Sequence, residues 1–258
     1  MVGRLRSLFR SLVLLGATDA SRWVGTRSAV FLAPHPDDET LGCGATVLRK
    51  RDHGTPVALV VVTDGRYSHR STAISPERLA DLRRAELAEA ATRLGLDDSS
   101  VHWLGLEDGT AAQYEDELVE RVSALLRELR ASECYATSAE EPHPDHAAVG
   151  RVARRAAAVV PGVTLLEYPV WLWDTWPLRS GDRMVSTLAA LARILPGKAW
   201  KVTTHGYQER KQHALDAHAS QLGRPDAVPA TEDWECLPAE VLAAASGPHE
   251  VFFRTPPV

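Results

Sequence analysis

The chain has 258 residues, 45% of them hydrophobic and 24% charged, with a formal net charge of −5 and a pI near 6.1. That is long enough for one large α/β domain with a real core, and the absence of a basic excess argues against a nucleic-acid footprint. Three scattered cysteines, Cys43, Cys134 and Cys236, include no CxxC pair and imply no disulfide framework, so any metal would be held by histidines and carboxylates.

Residues 1–15 set Arg4, Arg6 and Arg10 among Leu5, Leu8, Phe9, Leu12 and Leu15. A signal peptide or a membrane-surface helix is one reading. The uninterrupted apolar run at 12–15 is short for a signal core, so we expect a helix packed on the domain. Nothing else approaches the ~20 apolar residues of a transmembrane span. The expected compartment is the cytoplasm, with peripheral membrane attachment through this segment as the alternative. We treat 1–27 as a basic amphipathic N-terminal segment and 28–258 as one domain.

Residues 28–33 read as a short buried strand ending at Pro34, and 39–52 as a helix with Leu41, Ala45, Val47 and Leu48 apolar. The run VALVVV at 57–62 has strand length and stops at the turn Thr63-Asp64-Gly65. Over 76–95, the spacing of Leu79, Leu82, Leu87, Ala90, Ala91 and Leu94 predicts an amphipathic helix ended by Gly95. A strand at 101–106 leads to Asp108-Gly109. Then come a helix at 115–129, a strand at 133–137, a helix at 146–159 and a strand within 163–172. Residues 178–206 are hard to place; 208–220 read as a further helix and 251–254 as a last short strand. The alternation predicts an α/β, Rossmann-like single domain: a mostly parallel sheet with helices on both faces. Sites in such sheets lie beyond the carboxyl ends of the strands.

Two polar clusters follow predicted strands and precede predicted helices: His35-Pro36-Asp37-Asp38-Glu39 and His143-Pro144-Asp145-His146. An Asp at a helix start is an ordinary cap, which accounts for one carboxylate but not for the adjacent His and the second Asp. If the two strands are near neighbours, both clusters meet at one edge of the sheet. A catalytic zinc keeps three protein ligands and a water, and His35, Asp38 and His146 can supply the three. Asp37, beside a ligand, is the candidate base. His143 is left as an acid or a donor to the oxyanion and leaving amine. Asp145 could orient an imidazole, that of His143 first.

These motifs, standing as APHPDDETLGCG and EPHPDHAAVG, resemble the LmbE-like, or PIG-L, family of metal-dependent de-N-acetylases. The resemblance runs from about residue 28 to the C-terminus. It takes in Thr63-Asp64-Gly65, Arg83-x-x-Glu86 ahead of Leu94-Gly95, and Lys211-x-x-Ala214-x-x-x-His218-x-Ser220-Gln221. It implies a zinc enzyme, with ferrous iron as the alternative metal. Its partner would be a small-molecule N-acetyl amino sugar or glycoconjugate, cut to acetate and a free amine. The implied roles match those above, with Arg83 and Asp108 as sugar-holding positions and His218 lining the site. Some members carry a Tyr two residues before the first His of the second motif, proposed to assist the oxyanion. Here Glu141 stands there, so the helper comes from elsewhere or is dispensed with.

Gly42-Cys43-Gly44 lacks the third glycine of a dinucleotide loop, since position 47 is Val47; we read close helix–sheet packing, with Cys43 structural. Trp171, Trp173 and Trp176 could stack on a sugar ring or fill a core or lid. His53, His69, His102, His205, His213 and His249 read as ordinary surface or core histidines. Substrate choice is expected in loops 66–76, 107–114 and 170–205. Rival readings are a metal-dependent amidase on another N-acyl substrate, a non-haem iron oxygenase, a two-metal phosphoesterase and a binding protein without turnover.

Overall fold

The computed structural model describes residues 2–176, 195 and 197–255. Much of the 178–206 stretch, and of the loop expected over 170–205, lies outside the described residues.

Eight strands form one sheet: β1 (Thr18–Asp19), β2 (Ala29–Ala33), β3 (Val57–Thr63), β4 (Val101–Leu106), β5 (Glu133–Thr137), β6 (Thr164–Tyr168), β7 (Ala199–Thr203) and β8 (His249–Thr255). Their order is β1-β7-β8-β6-β5-β2-β3-β4. Every neighbouring pair is parallel except those of β8, which runs antiparallel between β6 and β7. The helices described are α1 (Val2–Gly16), α2 (Asp38–Asp52), α3 (Pro76–Arg93), α4 (Glu115–Glu128), α5 (Pro144–Val159), α6 (Leu172–Thr175), α7 (Gln208–Leu215), α8 (Ala219–Leu222) and α9 (Ala239–Ala245).

β2, β3 and β5 are buried along their whole length. Their apolar runs do not alternate because both faces of the sheet are covered. Phe31, Ala33, Leu59, Val61 and Tyr135 pack under α2 and α3 with Leu41, Val47, Leu48 and Leu87. Val30, Leu32, Val60, Val62 and Ala136 pack on the other face with Leu118, Val122 and Leu126 of α4 and Val149 and Val152 of α5. The strand period of two sends successive residues to opposite layers. The predicted α/β fold is the fold observed. Gly42 serves packing, since a Cβ there would run into the Tyr168 ring. Cys43 is buried, and burial raises its thiol pKa well above the usual value, which makes it inert.

Four elements were not foreseen: β1, α6, β7 and α9. The helix expected over 208–220 is broken. α7 stops at Leu215, where the Ala217 and His218 amides reach back three residues, to Ala214 O and Leu215 O, in a tightened turn ahead of α8. α1 packs Phe9 and Val13 against Leu172, Trp176, Val251 and Phe253. Two of its cations face protein: Arg6 pairs with Asp174 at 2.9 Å, and Arg10 donates to Ala244 O at 3.1 Å and covers the Trp173 ring. Membrane attachment through this segment therefore finds no support. Among the described residues no helix is long and apolar enough to cross a membrane.

Candidate active site

The connections leave β2 in both directions, with β3 on one side and β5 on the other. Such a reversal opens a crevice at the carboxyl ends of the strands. The first cluster follows β2, the second follows β5, and Asp108 follows β4. The two His-Pro-Asp loops thus meet as the sequence suggested.

Three donor atoms converge there. His35 Nδ1 lies 3.1 Å from His146 Nε2 and 3.4 Å from Asp38 Oδ2, and His146 Nε2 lies 3.2 Å from Asp38 Oδ2. Zinc bonds of 2.0–2.2 Å at tetrahedral angles place ligand atoms about 3.3 Å apart. Two imidazoles and a carboxylate at that spacing fit a divalent cation. The position of Asp38 is set by α2, whose first residue it is, and by the His35 amide, which donates to Oδ2 at 2.9 Å. Burial opposes its ionisation, but His146 and His35 hold the carboxyl well below the usual range.

Asp37 occupies the N-cap position of α2 without capping it through its side chain. Its φ of 150° lies in a region side-chain-bearing residues avoid, a strain of about 1–3 kcal/mol that a surrounding structure must hold in place. Arg83 does so, donating to Pro36 O at 2.9 Å and Gly65 O at 3.1 Å and pairing with Asp37 Oδ2 at 3.1 Å. Gly65, at φ +66°, admits the guanidinium where any Cβ would strike it, which gives the Thr63-Asp64-Gly65 turn its purpose. Burial pushes Asp37 up to about 6, with Arg83 pulling down and Asp38 adding to the rise.

Asp108 and Asp145 flank the other nitrogen of His35. Asp108 Oδ1 lies 3.1 Å and Asp145 Oδ2 3.3 Å from Nε2. Burial alone would lower the His35 pKa, but these carboxylates and Asp38 raise it well above its usual value. The expected pairing of Asp145 with His143 is corrected. The Gly109 and Ala111 amides, at 2.7 and 3.1 Å, fix the Asp145 carboxylate toward His35. His143, the N-cap of α5, meets the His35 ring edge-on at 4.7 Å. Burial, then the nearby His35 and His146, pushes it down to about 4, and its Nδ1 is buried without a partner.

His218 is also corrected: it is not among the residues lining the cavity. The turn after α7 buries it against α2, with Nε2 3.3 Å from Thr40 Oγ1 and 3.7 Å from Glu39 Oε1. Glu141 is buried, and its oxygens take the amides of Val170, Trp171 and Leu172. Burial pushes it up to about 7 against the pull of His146.

A cavity of about 420 Å³ opens over the triangle, with Arg83, Asp108 and His143 in its lining. Tyr67, Ser68 and His69 form one wall, Val170 and Trp171 another, and Gln221 with residues 235–238 a third. Of the three tryptophans, Trp171 reaches the cavity, while Trp176 meets Phe9 edge-on and Phe253 at a tilt and Trp173 lies under Arg10. His69, read as ordinary, stacks on Trp234 at 4.0 Å and bonds Glu235 O at 2.7 Å, tying two walls together. The wall at 235–238 was missed, since Glu-Cys-Leu-Pro carries no chemistry-bearing spacing; the nearby Trp234 was the one hint.

The family pattern described as GlcNAc-PI de-N-acetylase matches residues 30–157. A probable N-acetyl-alpha-D-glucosaminyl L-malate deacetylase 2 of Bacillus cereus is 30% identical over 141 residues, 52% of this chain and 63% of that protein. This chain therefore spans less than two thirds of that relative's length. A 1D-myo-inositol 2-acetamido-2-deoxy-alpha-D-glucopyranoside deacetylase of a Nocardioides species is 30% identical over 246 residues, 73% of this chain and 81% of that protein. The solved N,N'-diacetylchitobiose deacetylase of Pyrococcus horikoshii shares the fold, with a TM-score of 0.63 at 24% identity over 98% of this chain and 92% of that one. Both motifs lie at one crevice, their donors converge on a single point, and relatives align along most of the chain: this protein belongs to the PIG-L, or LmbE-like, family.

Proposed function

We propose that this chain is a zinc-dependent hydrolase that removes the acetyl group from an N-acetylglucosaminyl-type conjugate. The observation that carries this reading is the 3.1–3.4 Å triangle of His35, Asp38 and His146 with Asp37 and His143 beside it. The relatives named as deacetylases of glucosaminyl malate and glucosaminyl inositol support the substrate class. His35, Asp38 and His146 would hold the metal, zinc or, with the same donors, ferrous iron. When bound, it supplies Lewis-acid polarisation of the acetyl carbonyl and makes water more acidic.

The chain's own groups do the rest. Asp37, locked by Arg83, takes a proton from the attacking water as its oxygen bonds to the acetyl carbon. His143 donates a hydrogen bond to the oxyanion, and the proton taken up by Asp37 passes to the nitrogen as the C–N bond breaks, leaving acetate and the amine. Asp108 and Asp145 keep the His35 ring turned so that Nδ1 faces the triangle. Arg83 and Asp108 lie in the cavity lining, where their remaining surfaces would meet the sugar hydroxyls. The geometry disfavours a two-metal phosphoesterase. The further group of His35, Asp108 and Asp145 shares His35, and its carboxylates are already taken by the Tyr67, Gly109 and Ala111 amides.

The test is metal content together with amine and acetate release from N-acetylglucosamine, its inositol and malate glycosides, diacetylchitobiose and N-acetylated glycopeptide sugars. One metal per chain is expected, with equimolar amine and acetate that disappear on chelation and return with zinc. One bound metal with no amine from any compound would overturn the reading, as would two metals with release of phosphate from phosphoesters.

A further inference from the structure

Glu141 connects the metal-ligand triangle to the cavity wall. Its Oε1 accepts from the Val170 amide at 2.7 Å and the Leu172 amide at 3.4 Å, and its Oε2 from the Trp171 amide at 3.0 Å. These amides form the turn that starts α6 and carries Val170 and Trp171 into the cavity lining. The same Oε2 faces His146 Nδ1 at 3.9 Å. His146 is fully buried, and this Nδ1 has no hydrogen-bond partner. An imidazole that offers the lone pair of Nε2 to a cation carries its proton on Nδ1. A buried N–H left without an acceptor is costly, and the facing carboxylate can become that acceptor by closing about 1 Å, to ordinary hydrogen-bond length.

We propose that Glu141 is a positioning residue with two tasks. It holds His146 in the tautomer and orientation that present Nε2 to the metal, and with the same carboxylate it fixes the 170–172 turn. Metal occupancy and the place of Trp171 in the sugar wall are thereby coupled through one side chain. The inference rests on the reading of the triangle as a metal site. A residue that only clamped the turn would leave metal affinity untouched.

The experiment compares wild type, Glu141→Gln and Glu141→Ala. Zinc affinity is measured by competition with a chromophoric chelator, and kcat and KM at saturating zinc on the best N-acetyl sugar. The near-isosteric Gln variant decides the outcome if the Ala variant does not fold. It must present an amide NH2 either to the turn or to His146. Its zinc Kd is expected to rise by about 10–100-fold, with KM rising and kcat at saturating zinc within a few-fold of wild type. A zinc Kd within twofold of wild type in the folded Gln variant would overturn the proposal while leaving the deacetylase reading intact. Failure of the wild type itself to bind zinc would overturn the metal reading, and this inference with it.

Discussion

The sheet carries a buried charged cluster at each end of β2 and β5, and the two are built differently. At the amino ends, Lys50 donates to Val24 O at 2.6 Å, Arg27 O at 2.6 Å and Glu133 Oε2 at 2.7 Å, which uses all three of its protons. Glu133 also takes the Tyr135 hydroxyl at 2.8 Å, and its Oε1 forms an ion pair with Arg27 Nε at 2.7 Å, without hydrogen-bond alignment. At the carboxyl ends, Arg83 Nε, His143 Nδ1 and His146 Nδ1 are buried without partners, and Asp37 sits in a strained conformation. A cluster that pairs its charges internally holds the fold together. One that keeps atoms unsatisfied and backbone strained is poised to receive something.

The contrast can be broken at either end. The largest effect on turnover is expected from Asp37→Asn, which keeps the shape, tolerates the same backbone and loses the base. Deacetylation should fall by about 10²–10⁴-fold with little change in the denaturation midpoint; retention of more than a tenth of the activity would remove Asp37 from the mechanism. At the other end, Lys50→Met removes the buried partner of Glu133 and leaves it only Arg27 and the Tyr135 hydroxyl, which should cost up to about 3–5 kcal/mol of stability, read by urea titration, with turnover per folded molecule unchanged. A comparable loss of turnover would show that the two clusters are not separate. His69→Ala removes the stack on Trp234, worth about 0.5–1.5 kcal/mol, and should raise KM roughly two- to tenfold at constant kcat. The smallest effect is expected from Cys236→Ser: an exposed thiol on the cavity rim, it should shift neither constant by more than about twofold.

What was legible in the sequence follows the same division. The central strands and the helices between them could be read because burial on both faces leaves continuous apolar runs such as VALVVV, and the edge strand β4, only partly buried, through its strand-length segment ahead of Asp108-Gly109. The two His-Pro-Asp motifs could be read because identical chemistry recurs at equivalent places. β7, with Trp200, Lys201 and Thr203 only partly buried, bears no such run and exists through its pairing with β8. Spacing placed His218 near the site but could not show the tightened turn that aims it at Glu39. Nor could it tell which imidazole Asp145 would face, because the amides that decide this, of Gly109 and Ala111, belong to a loop distant in sequence. Arg83 was legible as important, but its partners at Pro36, Asp37 and Gly65 are visible only in three dimensions.

The placement of β8 bears on how the molecule is assembled. Residues 249–255 follow every other strand among the described residues, yet they lie between β6 and β7. Until they emerge, Leu165, Leu166 and Glu167 of β6 present an open hydrogen-bonding edge, and β1 and β7 have no bond to the rest of the sheet. Such an edge is a template for another chain, and closing it requires contacts over long sequence separations, which form slowly. The same strand supplies Phe252 to the core against Tyr135 and Glu250 to the amides of α2, so aggregation during synthesis should be governed by how quickly this late strand is captured.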